Sequence, residues 1–252
     1  MEQSSHLNLV IDVLMLAGAI LLQSGAEVHR VEDTMIRIAH SQGIINANVL
    51  AIPAAIFFSI DHTNISRMKR IVNPTHDMQK VCQVNQISRS LVSGDIHLGE
   101  ALSQLTQLKE QPLPYTELGI SIAATIAAPC FTIMFGGTPW DAVATMIATL
   151  FAFPFSILID KLIRIEFVSK FAGALVFSLF SLLFAKYSGL SVNPNIINAG
   201  AVMPFVPGIA FTNAVKDLMT NHLNTGLTKI FQTLLIILSL GAGTALAFFI
   251  VG

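Results

Sequence analysis

Ile196-Ile197-Asn198-Ala199-Gly200-Ala201-Val202-Met203-Pro204-Phe205-Val206-Pro207-Gly208-Ile209-Ala210-Phe211 is an apolar run of helical length that carries its own interruption. A proline inside a helix removes a backbone hydrogen bond and clashes with the preceding turn, and a glycine after it loosens the segment further. The helix is expected to break there. Asn213, Lys216, Asp217, Asn221, His222 and Asn224 follow at once, a polar density that hydrocarbon does not normally host. Backbone groups freed at membrane depth persist only where they face protein or a water-filled cavity, and interrupted helices of this kind hold solutes and coupling ions. Pro204, Pro207, Gly208, Asn213, Asp217 and His222 are therefore the candidate residues of a substrate or ion pathway.

The composition agrees with a membrane setting: 53% of the 252 residues are hydrophobic, 12% are charged, and the net charge is -1. An ordinary soluble domain carries about twice that charged fraction. Nucleic-acid binding is excluded as a class, because it needs clustered Lys and Arg to displace phosphate counterions. Cys82 and Cys130 have no metal-like spacing and suggest neither a disulfide nor a zinc site. No His-Glu-x-x-His, Gly-x-Ser-x-Gly or paired-cysteine pattern occurs. No catalytic residue, metal or cofactor is expected. Asp61-His62 and His76-Asp77 are isolated pairs that turn chemistry explains. The opening Met1-Glu2-Gln3-Ser4-Ser5-His6 lacks the basic start and cleavage pattern of a secretory signal, so it is expected to stay on the side where it is made.

Charge is distributed unevenly. Eight Lys or Arg and eleven Asp or Glu precede Leu118, and the remainder is sparse. Residues 7–23 are apolar, but Asp12 interrupts them and the strongest stretch, 13–22, is too short to span a bilayer. A buried or interfacial helix is expected, ended by Ser24-Gly25. Val28, Val31, Met35 and Ile38 then recur at helical spacing with Arg30, Asp33 and Arg37 off the stripe, which predicts an amphipathic helix. Residues 49–60 and 65–72 read as two strands around Asp61-His62-Thr63-Asn64, with Pro53 marking an edge position. Asp77 caps a helix striped by Met78, Val81, Val84, Ile87 and Leu91, Gly94 stops it, and Leu98, Leu102, Leu105 and Leu108 mark another. Residues 1–114 are thus expected to form a cytoplasmic α+β domain, closed by the stiff Gln111-Pro112-Leu113-Pro114 junction.

Residues 115–252 are expected to form a membrane domain of five transmembrane helices near 118–135, 142–159, 167–185, 196–211 and 230–251. The fold class is an α-helical polytopic membrane protein. With the N-terminus inside, the loops at 160–170 and 212–229 hold Lys161, Arg164, Lys170, Lys216 and Lys229, and only Lys186 falls outside. The positive-inside rule then puts the N-terminus in the cytoplasm and the C-terminus outside.

Two readings of Asp217 stand open. A carboxylate inside the bilayer marks function, whereas one at the interface is ordinary, and Lys216 beside it favours the interface. Asn213 lies about one helical turn away and shares its face. His222 suits a proton relay or a solvated loop. Gly136-Gly137-Thr138-Pro139-Trp140-Asp141 reads as an external turn with Trp140 as headgroup anchor, and Asp141 stands at a candidate entrance. Gly241, Ala242, Gly243, Ala245 and Ala247 give the last helix a small-residue face suited to close contact, including contact with a second copy of the chain.

Several of these residues carry a resemblance. Leu21-Leu22-Gln23-Ser24-Gly25-Ala26-Glu27 with Val31-Glu32, Gly136-Gly137 with Trp140-Asp141, and Pro207-Gly208 with Asn213-Ala214-Val215, Asp217-Leu218 and Asn224-Thr225-Gly226-Leu227 resemble the threonine/serine exporter family. Within it the chain is similar to the small split members of the YjjP type, over nearly its whole length. The resemblance implies a half-transporter of the bacterial inner membrane, partnered by a second, smaller membrane subunit. Its cargo would be a small polar or anionic metabolite such as threonine, serine or succinate. Many relatives place a glycine a few residues after the Asp-Leu pair, where this chain reads Met219-Thr220-Asn221-His222. The competing classes are a membrane-anchored scaffold whose first part binds a regulator and, more remotely, an intramembrane enzyme.

Overall fold

In a computed structural model, which describes residues 2–72 and 75–251, the chain divides at the Leu113-Pro114 step. One compact unit contains Met1–Leu113 together with Ile209–Ile230, and the other contains Pro114–Gly208 and Phe231–Gly252. By contacts the division falls between Leu113 and Pro114. The inclusion of residues 209–230 in the first unit is a difference from the expected division.

The first unit is built around α1 (Glu2–Gln23). Val10, Ile11, Val13, Leu14, Ala17 and Leu21 are all but inaccessible, while Asp12 points outward and keeps its carboxylate in solvent. Gly25, at φ 85°, turns the chain into α2 (Val28–Ser41), whose Val28, Val31, Met35 and Ile38 are buried as their spacing requires. Gly18 lets α1 approach Met35, because a Cβ there would collide with the thioether.

Three strands follow, β1 (Ala47–Ile52), β2 (Ala55–Ile60) and β3 (Ser66–Arg70), in the antiparallel order β1-β2-β3. The single strand expected over 49–60 is in fact a hairpin. Pro53-Ala54 forms its two-residue connection, with Ile52 opposite Ala55 as the last pair. Proline has no N–H for a ladder and sits in the turn, not at a sheet edge. Then come α3 (Met78–Ser93), capped by Asp77 through Lys80 N at 3.0 Å and closed by left-handed Gly94, and α4 (Leu98–Glu110).

The second unit reverses the usual sorting of side chains. It comprises α5 (Glu117–Met134), α6 (Pro139–Ile163), α7 (Glu166–Tyr187) and α8 (Pro194–Val202). A 3-10 turn, Met203–Phe205, leads to α9 (Gly208–Met219), and α10 (Leu223–Val251) ends the chain. Ala144, Ala148, Ala152 and Ser156 form an inward stripe on α6, while Met146, Leu150, Phe151 and Leu158 point out. Small inside and bulky outside is the arrangement expected when lipid, not water, solvates the outer surface. Gly243 of α10 packs on α7, where a Cβ would meet the Phe171 carbonyl at 2.5 Å. The small-residue face is therefore used within the chain at Gly243, while Gly241 faces open space.

Among the described residues, α1, α5, α6, α7 and α10 are long and apolar enough to cross a membrane, and the interrupted pair adds a sixth if it counts as one span. The fourth expected segment, 196–211, is split: the helix ends at Val202, Val206 is extended, and α9 starts at Gly208. In α1, 67% of the apolar window is buried inside the protein, against 22–33% in the other four. Its hydrophobic surface is consumed by the core of its own unit.

Candidate functional site

The break itself is anchored in the second unit by Phe205, which is 2% exposed. Its ring lies 5.2 Å from that of Phe153 and 5.6 Å from that of Phe177, Lys170 Nζ stands 5.8 Å from its centroid, and Gly173 makes room for its edge. Pro204 occupies the 3-10 turn, and Pro207 precedes α9.

Beyond the break, α9 brings its polar side chains onto the α1–α2 joint of the first unit. Asn213 and Asp217 share a face, as their spacing demands. Asn213 Nδ2 donates to Gly25 O at 3.1 Å. Asp217 is fully buried: Oδ1 accepts from Val28 N at 3.2 Å and Oδ2 from Lys229 Nζ at 2.6 Å. A carboxylate at the first N–H of α2 sits where the helix dipole favours negative charge. Lys216 Nζ donates to Glu27 Oε1 at 2.8 Å, and Arg30 and His29 flank the other Glu27 oxygen at 3.4 and 3.5 Å. Burial pushes the Glu27 carboxyl up, but the Lys216 hydrogen bond and the charges of Arg30, Lys216 and His29 outweigh it and hold it below its ordinary range.

His222 closes the cluster. Its Nε2 lies 2.9 Å from Glu32 Oε2, its Nδ1 lies 3.2 Å from Thr220 Oγ1, and its ring is 6.4 Å from that of His29. The other Glu32 oxygen accepts from Ala51 N at 2.8 Å, which ties the cluster to β1. The turn that presents His222 depends on Asn221, at φ 63°. Asparagine is among the few residues that enter this left-handed region readily, so it serves where glycine is otherwise used.

Of the sequence candidates, Asn213, Asp217 and His222 come together, and Asp217 is buried in an ion pair with Lys229. Asp141 is elsewhere and does not face an opening. It is 2% exposed, closes a capping box with Thr138 at the start of α6, and accepts from Asn193 N at 2.7 Å at the start of α8. Sequence reasoning did not place Gly25, Glu27, Glu32 and Lys229 in the site. They stand up to 190 residues from their partners in the chain, and only the exporter-like segments containing Gly25, Glu27 and Glu32 singled them out. Two of those segments, one in the α1–α2 joint and one in α9, touch here.

No group of three His, Cys, Asp or Glu side chains that could hold a metal occurs among the described residues. Long apolar helices packed through small residues, with one interrupted pair, are compatible with a polytopic membrane protein. A family model described as "Putative threonine/serine exporter" matches residues 12–251, and the chain belongs to that family. It is a family of transporters, not enzymes.

Two relatives named "Probable succinate transporter subunit YjjP" are similar to it. That of Klebsiella aerogenes is 26% identical over 83% of this chain and 81% of its own. That of Escherichia coli K12 is 25% identical over 93% and 92%. A "Probable threonine/serine exporter" of Mycobacterium tuberculosis is 18% identical over 91% of this chain and 44% of its own length. No solved structure matches.

Proposed function

We propose that this chain is the larger subunit of a two-component exporter of small polar metabolites, working in the bacterial inner membrane with a separately encoded smaller membrane subunit. The observation that carries the reading is the interrupted α8–α9 segment in a member of an exporter family. The word "subunit" in two relatives' names supports a partner. The Mycobacterium tuberculosis relative, less than half of which is matched, supports the same division of labour within one longer chain. The cargo is a carboxylate-bearing solute, an amino acid such as threonine or serine or a dicarboxylate such as succinate.

In this reading the N-terminus is cytoplasmic, α1 is a core helix of the first unit, and the spans are α5, α6, α7, the interrupted pair and α10. Pro204, Pro207 and Gly208 shape the pathway wall, and Asn213, Asp217 and His222 act at its cytoplasmic end. Asp217 is held between Lys229 and the α2 N-terminus, an ammonium and a backbone N–H of the kind that also bind a substrate carboxylate.

Efflux of threonine, serine and succinate from cells lacking this chain, the smaller subunit, or both tests the proposal. Equal defects in all three strains are expected; undiminished efflux of every solute without this chain overturns it. Asp217→Ala at normal membrane abundance is expected to abolish efflux. Wild-type efflux by that variant removes Asp217 from the mechanism.

A further inference from the structure

Position 170 extends the inward stripe of α7 by one turn. Gly173, Ala174, Phe177 and Ser181 are buried, and Lys170 precedes them at helical spacing on the same face. A cation thus begins a stripe that is otherwise small or aromatic. Its ammonium stands over Phe205, the buried ring at the break, which also packs on Phe177 of that stripe. Of the three basic residues at this end of the unit, Lys161 and Arg164 are exposed, and Lys161 pairs with Glu117. Lys170 is part-buried and turned inward.

That orientation forgoes a local partner. Glu166 precedes Lys170 by one turn, in the order that favours a Glu-Lys pair on a helix surface. Yet among the described residues no carboxylate oxygen lies within 4.0 Å of Lys170 Nζ and no acceptor is hydrogen-bonded to it, Glu166 and the exposed Asp160 included. An aromatic face attracts a cation without neutralising it, so the charge and the three N–H donors stay available. An ionisable group on the inner face of a membrane-spanning helix marks a solute or ion pathway and is matched by a counter-charge. The chain presents none here, and the complement of a fixed ammonium is an oxyanion.

We infer that Lys170 binds a carboxylate of the exported solute, with the Phe205 ring as the platform that holds the ammonium on the inner face beside the break. This rests on the exporter reading above. Lys170→Met keeps the length of the side chain and removes the charge; Lys170→Arg keeps the charge and the stacking on Phe205. Lys161→Met is the control, since it removes an exposed cation from the same end of the unit.

The experiment measures saturation of labelled succinate and L-threonine uptake into everted vesicles from the native host, deleted for this chain and complemented with each version. Lys170→Met is expected to raise half-saturation by about tenfold or more for the transported probe, with Lys170→Arg and Lys161→Met within about threefold of wild type. Wild-type half-saturation in Lys170→Met, whether or not its maximal rate falls, overturns the assignment and leaves the exporter reading intact. A loss that Lys170→Arg shares in full overturns it as well, because shape and not charge is then what counts. If Lys170→Met is absent from the membrane, the polar and neutral Lys170→Gln against Lys170→Arg decides by the same criteria. If the wild-type chain adds no uptake of either probe, the exporter reading fails and the role of Lys170 with it.

Discussion

Asp217 and Lys229 form the most tightly enclosed ion pair of the first unit, with side chains 0% and 18% exposed. Removing one partner strands the other charge, so Asp217→Ala is expected to cost about 3–5 kcal/mol, and Asp217→Asn, which keeps the acceptor for Val28 N, less. Thermal unfolding of the purified chain reads both. Glu27 adds a pH dependence whose sign is fixed by its depressed folded value. Its stabilisation is complete above the ordinary 4.5 and is lost as pH falls through the lower folded value. Unfolding midpoints are expected to drop below roughly pH 4 in the wild type and to drop less in Glu27→Gln. At this scale the sequence revealed an acid, an amide and a histidine close together after a break. It could not reveal Val28 N or Glu32, because nothing local connects residues about 190 positions apart.

The helices show how much local pattern conveys. The stripe of α2 and the caps of α3 follow from spacing and from Asp77 and Gly94, whereas α6, expected near 142–159, runs Pro139–Ile163 because Thr138 closes a capping box inside the stretch read as a turn. The hairpin at Pro53-Ala54 was hidden because its turn is apolar and continues the hydrophobic run on either side, whereas the Asp61 turn announces itself by polarity. Glycines on α10 provide a test of packing. Gly243→Ala would press a methyl group onto the Phe171 carbonyl, backbone that cannot step aside, and is expected to cost about 1–3 kcal/mol. Gly241→Ala meets nothing within 4 Å and is expected to be neutral in the same thermal assay.

For the whole molecule, the charge asymmetry on which the proposed orientation rests yields an accessibility test. Under the proposed topology, Cys82 is labelled by an impermeant maleimide only in everted vesicles, and a cysteine replacing Lys186 only in intact cells. The reverse pattern overturns the orientation. Hydropathy assigned residues 209–230 to the membrane part, whereas they group with the first unit, because hydropathy measures what a segment could dissolve in and not what it packs against.

That regrouping bears on biosynthesis. The surface of the α1–α2 joint receives Asn213, Lys216 and Asp217, which the ribosome adds long after Glu27 and Val28 have emerged. Until then the nascent first unit lacks the partners of Gly25 O, Glu27 and Val28 N. A fragment ending at Leu113 is expected to be made but to aggregate or be degraded, and supplying residues 209–230 on a short tether should rescue its solubility.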